Sequence, residues 1–135
     1  MHASLQPGFF RVDYDRSRLV DDRVRDAQTG GWQTLLVADD GGGAVCGLIW
    51  MQIYDTPPAA SMVQRRRGHV EDLVVTRARR RAGCGRALLE AGAAWARQKG
   101  AAQLVLTVWA GNLEAERFYQ SLGYQPISQV LGTDL

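Results

Sequence analysis

From position 32 onward the apolar residues fall into short blocks separated by glycine, proline and charge. "WQTLLVAD" at 32–39 and "AVCGLIWMQIY" at 44–54 are rich in β-formers, and "DDGGG" between them supplies glycines for a tight reversal. These blocks predict a hairpin over 32–54. "DTPPAASMVQRRR" at 55–67 predicts a loop, because Pro57 and Pro58 bar regular pairing; Arg65, Arg66 and Arg67 then read as a solvated turn. "GHVEDLVV" at 68–75 predicts a third strand, and its nearly continuous apolar end suits burial on both faces. The period then changes. Leu88, Ala91 and Trp95 recur at i, i+3 and i+7, with Leu89 and Ala94 beside them, which predicts a helix over roughly 83–99 closed by Lys99 and Gly100. "AQLVLTVW" at 102–109 predicts a strand. Asn112 is placed to cap a second helix, with Glu114 and Glu116 in its first turn and Gly123 at its end. "YQPISQVL" at 124–131 predicts a last strand, at an edge because of Pro126. Ahead of the hairpin, 8–15 reads as an edge strand or loop, and 16–28 as a short helix from Leu19, Val20 and Val24.

The order β-β-β-α-β-α-β predicts an α/β fold with a mixed sheet and helices on its faces. The strand-helix-strand unit 68–109 predicts a right-handed crossover. A chain of 135 residues, 46% hydrophobic and 22% charged, suits one globular domain over 1–135 rather than a disordered segment. The net charge of +2 argues against a general nucleic-acid or membrane binder. Cys46 and Cys84 are the only cysteines. Neither has metal-ligand spacing around it, so no metal is expected, and two lone thiols suit a reducing compartment. No early apolar segment resembles a secretion signal, which makes the cytoplasm the expected location. Trp32, Trp50, Trp95 and Trp109 are expected in the core or a pocket wall.

Candidate chemistry starts at "RRRAGCGRALL", residues 79–89. Glycines at a strand-to-helix junction let a ligand approach the backbone, and the helix start adds unpaired N–H groups and partial positive charge. Such a turn suits a phosphate or pyrophosphate, with Arg80, Arg81 and Arg86 able to supplement it. The bland alternative is a solvated arginine face. Two other phosphate motifs fail on spacing. A dinucleotide fingerprint wants glycine where Leu88 stands, and a P-loop wants Gly-Lys-Ser/Thr where the chain has Gly85, Arg86 and Ala87. His69 and Glu71, two apart on one strand, share a face; Asp72 is expected on the other.

Two motifs carry a resemblance to a known family. "LVVTRARRRAGCG" matches a hydrophobic strand followed by Arg/Gln-x-x-Gly-x-Gly/Ala, with Arg80, Gly83 and Gly85 in register. "NLEAERFYQSLGY" matches Asn-x-x-Ala-x-x-Phe-Tyr-x-x-x-Gly-Phe/Tyr, with Asn112, Ala115, Phe118, Tyr119, Gly123 and Tyr124 in place. Over roughly 68–128 the chain thus resembles the GNAT superfamily of acyl-CoA-dependent N-acyltransferases. The resemblance implies a mixed, mostly antiparallel sheet with strands splayed at the acyl-CoA site. The part before the hairpin is shorter than that family's first strand and two helices.

The resemblance further implies acetyl-CoA as acyl donor and a primary amine, on a small molecule or a peptide, as acceptor. It implies that main-chain N–H groups across Arg81, Ala82, Gly83, Cys84, Gly85 and Arg86 cradle the pyrophosphate. The pantetheine arm would pair with main-chain groups of Leu73, Val74 and Val75 like an added strand, the Val75 N–H facing the thioester carbonyl. Asn112 would also contact that arm. Tyr119 would be the general acid, since a phenol with a pKa near 10 stays protonated at neutral pH and can donate to the departing thiolate. An amine with a lysine-like pKa costs about 4–5 kcal/mol to deprotonate at pH 7. A base is therefore expected, with Glu71 the first choice and His69 the second. The acyl group would pass directly to the amine without a cysteine intermediate, leaving Cys84 as a small loop residue. The family leaves a homodimer open. The rival readings are a non-catalytic CoA-binding regulatory module and an arginine-driven nucleic-acid binder.

Overall fold

The computed structural model describes residues 31–39, 45–58, 61, 63–80 and 83–135. The elements expected at 8–15 and 16–28, and most of the hairpin turn at 39–43, lie outside the described residues. The described chain falls into two compact units, 31–107 and 108–135.

The first unit is a four-stranded sheet with one long helix. Strand β1 is Gln33–Asp39, β2 is Val45–Asp55 and β3 is Arg66–Val75. Helix α1 is Cys84–Gln98 and β4 is Gln103–Leu106. The spatial order is β1-β2-β3-β4. The first two pairings are antiparallel and the last is parallel, so the mixed, mostly antiparallel sheet expected from the sequence is present.

The hairpin forms because β2 alternates. Ile49 and Met51 are fully buried. Both side chains lie close to Gly92 of α1, so one face of β2 packs on the helix. Cys46, Val70, Leu88, Leu89 and Ala96 complete the buried hydrophobic set among the described residues. Each large aliphatic member contributes roughly 1.5–3 kcal/mol by leaving water. The packed stripe of α1 is Leu88, Leu89, Gly92 and Ala96, with Ala91 and Ala94 exposed. It is therefore rotated from the expected Leu88-Ala91-Trp95 line. The cause is close packing of small residues: a Cβ on Gly68 would stand 2.8 Å from the Ala96 Cβ and 2.9 Å from Leu104. Small side chains decide which helix face reaches the sheet, and a hydrophobicity pattern does not weigh them.

The expected loop 55–67 is shorter than its sequence suggests. Arg66 and Arg67 belong to β3, not to a solvated turn. Asp55 and Arg66 are cross-strand partners. Two guanidinium nitrogens of Arg66, Nε at 2.8 Å and a terminal one at 3.2 Å, donate to the two Asp55 oxygens. Another Arg66 nitrogen donates to the Lys99 carbonyl at 2.9 Å, and the guanidinium lies 4.8 Å from the Trp32 ring centroid. Trp32 is thus a half-exposed lid on an arginine rather than core.

Strand β3 has two irregularities. Trp50 pairs with Asp72 and Met51 with Val70, so Glu71 is an extra residue, a β-bulge. Parallel pairing with β4 runs from Arg67↔Gln103 to Val70↔Leu106, while β3 continues to Val75. Beyond Val70 that edge has no strand partner among the described residues. A bulge bends and twists its strand, and the pairing with β4, which itself ends at Leu106, stops one residue before it. Val74 is half-exposed, so the end of β3 is not buried on both faces as expected.

In the second unit, α2 is Leu113–Ser121. Asn112 caps it as expected, its Oδ1 accepting from the Ala115 N–H at 3.3 Å. Gly123, at φ +92°, ends it in a left-handed conformation that glycine adopts without strain. Two strand expectations fail. The block 102–109 is a strand only over Gln103–Leu106, and 124–131 forms no strand. Pro126 removes a ladder donor, and Ile127, Val130 and Leu131 are exposed, so that segment has neither pairing nor a buried face to hold it.

Candidate active site

The sheet face opposite α1 collects polar groups in register. Gln33 pairs with Gln52, Gln52 with His69 and Trp50 with Asp72. Cross-strand partners share a face, so Gln33, Trp50, Gln52, Tyr54, His69 and Asp72 all lie on it. Asp72 therefore joins the face of His69, against expectation. The bulge at Glu71 adds one residue and shifts the alternation that a plain count assumes.

Glu71 is the hub of this face. Its Oε1 lies 3.3 Å from His69 Nδ1. It also lies 3.3 Å from the Tyr54 hydroxyl, which donates to it. His69 and Glu71 thus share a face, as expected. The separation of Nδ1 and Oε1 is that of an ion pair without hydrogen-bond alignment, so their attraction depends on His69 being protonated. The Tyr54 ring meets the His69 ring edge-on, with centroids 5.7 Å apart. Its hydroxyl also makes a short contact with Gln52 Oε1. Desolvation, and then the charge and hydrogen bond of Glu71, push the Tyr54 phenol above the usual tyrosine range. Sequence reading missed Tyr54 and Gln52. The alternation of β2 placed 50, 52 and 54 on one face, but only the register of β2 on β3 brings that face to Glu71.

The open edge of β3 carries Leu73, Val74 and Val75 and leads, through a single 3-10 turn at Arg77–Arg79, to α1. Gly83 is the residue before α1, at φ +86°, a left-handed conformation that other residues adopt only with strain. A Cβ there would meet nothing within 4 Å, so glycine is needed for its φ and not for space. The first bond of the helix is from the Ala87 N–H to the Gly83 carbonyl, at 3.0 Å. By helix geometry the N–H groups of Cys84, Gly85 and Arg86 have no acceptor within the helix. Among the described residues no side chain caps this start, and no acid stands in its first turn. Helix α2 is the contrast, with Asn112 capping and Glu114 and Glu116 beside its N-terminus. A cap and acids thus stand at the start of α2, while the first turn of α1 carries no acid.

The arginines are less free than their number suggests. Arg80 Nε donates to the Val75 carbonyl at 3.3 Å. Arg86 faces Glu90 at 3.6 Å, one turn on and exposed, a pair worth roughly 0.3–0.5 kcal/mol. Arg81 and Ala82 lie outside the described residues. Cys84 is the first helical residue rather than a loop residue, and its Sγ lies 3.5 Å from that of Cys46.

Asn112 and Tyr119 belong to the second unit. Within it the Tyr119 ring contacts Phe118 and Tyr124, with centroids 5.1 and 5.6 Å away. The Tyr119 carbonyl accepts the Tyr124 N–H at 3.0 Å, fixing Tyr124 beyond the helix end. Burial raises the Tyr124 phenol above its usual range. Among the described residues no helix is long and apolar enough to cross a membrane.

The sequence matches the family described as "Acetyltransferase (GNAT) family" over residues 2–124. Among curated proteins there is no significant match. Among solved structures, a tetramutant of the BH1408 protein from Bacillus halodurans is 28% identical, with a TM-score of 0.85 over 99% of this chain and 85% of that one. The aminoglycoside N-acetyltransferase AAC(6')-Iy in complex with CoA has a TM-score of 0.74 at 18% identity, over 89% and 87% of the two chains. A transcriptional regulator from Bacillus halodurans has a TM-score of 0.72 at 19% identity, over 90% and 80%. At these last two identities the likeness is one of fold.

Proposed function

The chain belongs to the GNAT acetyltransferase family, and from that premise we propose that it transfers an acetyl group from acetyl-CoA to a primary amine by direct attack. The observation that supports this most is a conjunction on one segment. The edge of β3 from Glu71 to Val75, without a strand partner among the described residues, leads into a helix start that has no side-chain cap among them and no acid in its first turn. An extended arm ending in a diphosphate is complementary to that segment: strand-like pairing along β3, then anion binding at Gly83, Cys84, Gly85 and Arg86.

In this reading Leu73, Val74 and Val75 hold the pantetheine arm, and the Val75 N–H faces the thioester oxygen. Glu71, with His69 beside it, takes a proton from the incoming ammonium. The neutral nitrogen attacks the thioester carbon, and negative charge moves to the oxygen that the backbone N–H stabilises. As the C–S bond breaks, Tyr119 gives its proton to the sulfur, so CoA leaves as a thiol, and the second proton of the attacking nitrogen passes to the phenolate, leaving a neutral amide and restoring Tyr119. Arg80, Arg81 and Ala82 complete the diphosphate loop, and Asn112 steadies the arm. No metal takes part, and the cytoplasm, where acetyl-CoA is made available, is the setting.

The acceptor is an amine on a small molecule or a peptide. A solved complex of AAC(6')-Iy contains a bisubstrate analogue of CoA and an acetylneamine. An amino sugar therefore belongs in the test panel beside a polyamine and a lysine ester. The test is thiol release from acetyl-CoA with neamine, spermidine and lysine methyl ester. Release with at least one, strongly reduced in Tyr119→Phe, supports transfer. A melting temperature raised by CoA, with no thiol release from a wide amine library, would instead mark a CoA-binding regulatory module.

A further inference from the structure

The Tyr54 hydroxyl raises a problem of proton supply. It contacts two acceptors, Gln52 Oε1 and Glu71 Oε1, and a phenol has one proton. The carboxylate has the stronger claim, because a hydrogen bond to a charged acceptor is about twice as strong as one to a neutral acceptor. Gln52 can accommodate this by a half-turn of its amide, after which its NH2 donates to the phenol oxygen. The Gln52 amide also meets Gln33, at 3.4 Å. The same half-turn in Gln33 keeps that contact satisfied. The result is a directed chain in which Gln33 donates to Gln52, Gln52 to Tyr54 and Tyr54 to Glu71.

We propose that Tyr54 is a positioning residue for the amine-deprotonating carboxylate, holding Glu71 by Oε1 so that Oε2 receives the proton. This rests on the reading of Glu71 as base. The geometry gives Tyr54 a reason to be there. Glu71 sits on a bulge, where it has no cross-strand partner to fix it. Tyr54 comes from the neighbouring strand, packs its ring against His69 and reaches the carboxylate across the irregularity. Among the described residues, Tyr54 and His69 both engage Oε1. A carboxylate held at one oxygen presents the other in a fixed direction, which is what proton transfer in the transition state needs.

The test is a double-mutant cycle with Tyr54→Phe and Glu71→Gln, with kcat measured for acetyl-CoA and neamine, spermidine or lysine methyl ester. Glu71→Gln should lower kcat about 100-fold or more, and Tyr54→Phe about tenfold, with the KM for acetyl-CoA unchanged in both. The double variant should match Glu71→Gln alone, since Tyr54 acts only through that carboxylate. Losses that multiply in the double variant, or a Tyr54→Phe enzyme with full kcat, overturn the positioning role while leaving Glu71 as base. A Glu71→Gln enzyme with full kcat overturns both. A second readout needs no turnover: the tyrosinate absorbance that Tyr54→Phe removes should titrate above the usual tyrosine range. It should move to lower pH in Glu71→Gln, because the neutral amide no longer repels the phenolate. If it does not move, the contact that carries the proposal is overturned.

Discussion

At the residue scale the account turns on side chains whose roles depend on a neighbour. Tyr119→Phe keeps the ring that packs on Phe118 and Tyr124 but removes the hydroxyl proposed as proton donor. Steady-state kinetics should show kcat lower by about 100-fold with little change in melting temperature. Cys84 gives the opposite expectation. Its thiol meets that of Cys46, and in the proposed transfer it takes no covalent part. Cys84→Ser should keep kcat within a few-fold, and no acetyl-enzyme should appear by intact mass. Legibility at this scale followed the source of the information. Asn112 could be read from the sequence, because a cap is a local need; the left-handed turn at Gly83 could not, because the glycine was read for ligand approach. Tyr54 could not, because it lies 17 residues from Glu71 and meets it only through strand register. Asp72 was read onto the wrong face because one bulged residue shifts every position after it.

At the element scale, the packing of α1 on the sheet is set by small residues. Gly68→Ala would put a methyl group 2.8 Å from the Ala96 Cβ, with no flexible tip to give way. It should cost roughly 1–3 kcal/mol by overpacking and lower the melting temperature by about 5 °C or more. The clasp between the end of β2 and the start of β3 gives a pH-dependent expectation. The hydrogen bonds from Arg66 hold the Asp55 carboxyl below the usual carboxylate range. A carboxyl depressed on folding contributes stability above its ordinary pKa and loses it as pH falls through the folded value. The urea-midpoint difference between the wild type and Asp55→Asn should be constant near neutrality and vanish in strong acid. It should be small throughout, because the pair is exposed. The elements themselves were legible where their signals were local and strong, as in the 32–54 hairpin and both helices. The segment 124–131 had the composition of a strand but no partner, and a strand is a property of two segments rather than one.

At the scale of the whole molecule, one compact unit carries the β3 edge beyond Val70 and the start of α1, and among the described residues neither a strand pairs with the first nor a side chain caps the second. CoA should accordingly raise the melting temperature in proportion to the logarithm of its concentration once above Kd. The most direct test is calorimetric titration with CoA, dephospho-CoA and pantetheine. If the start of α1 grips the diphosphate, dephospho-CoA should bind nearly as well as CoA. Pantetheine, which lacks the diphosphate, should bind on the order of 100-fold more weakly. Equal binding of pantetheine and CoA, or no binding of CoA at all, would contradict the account.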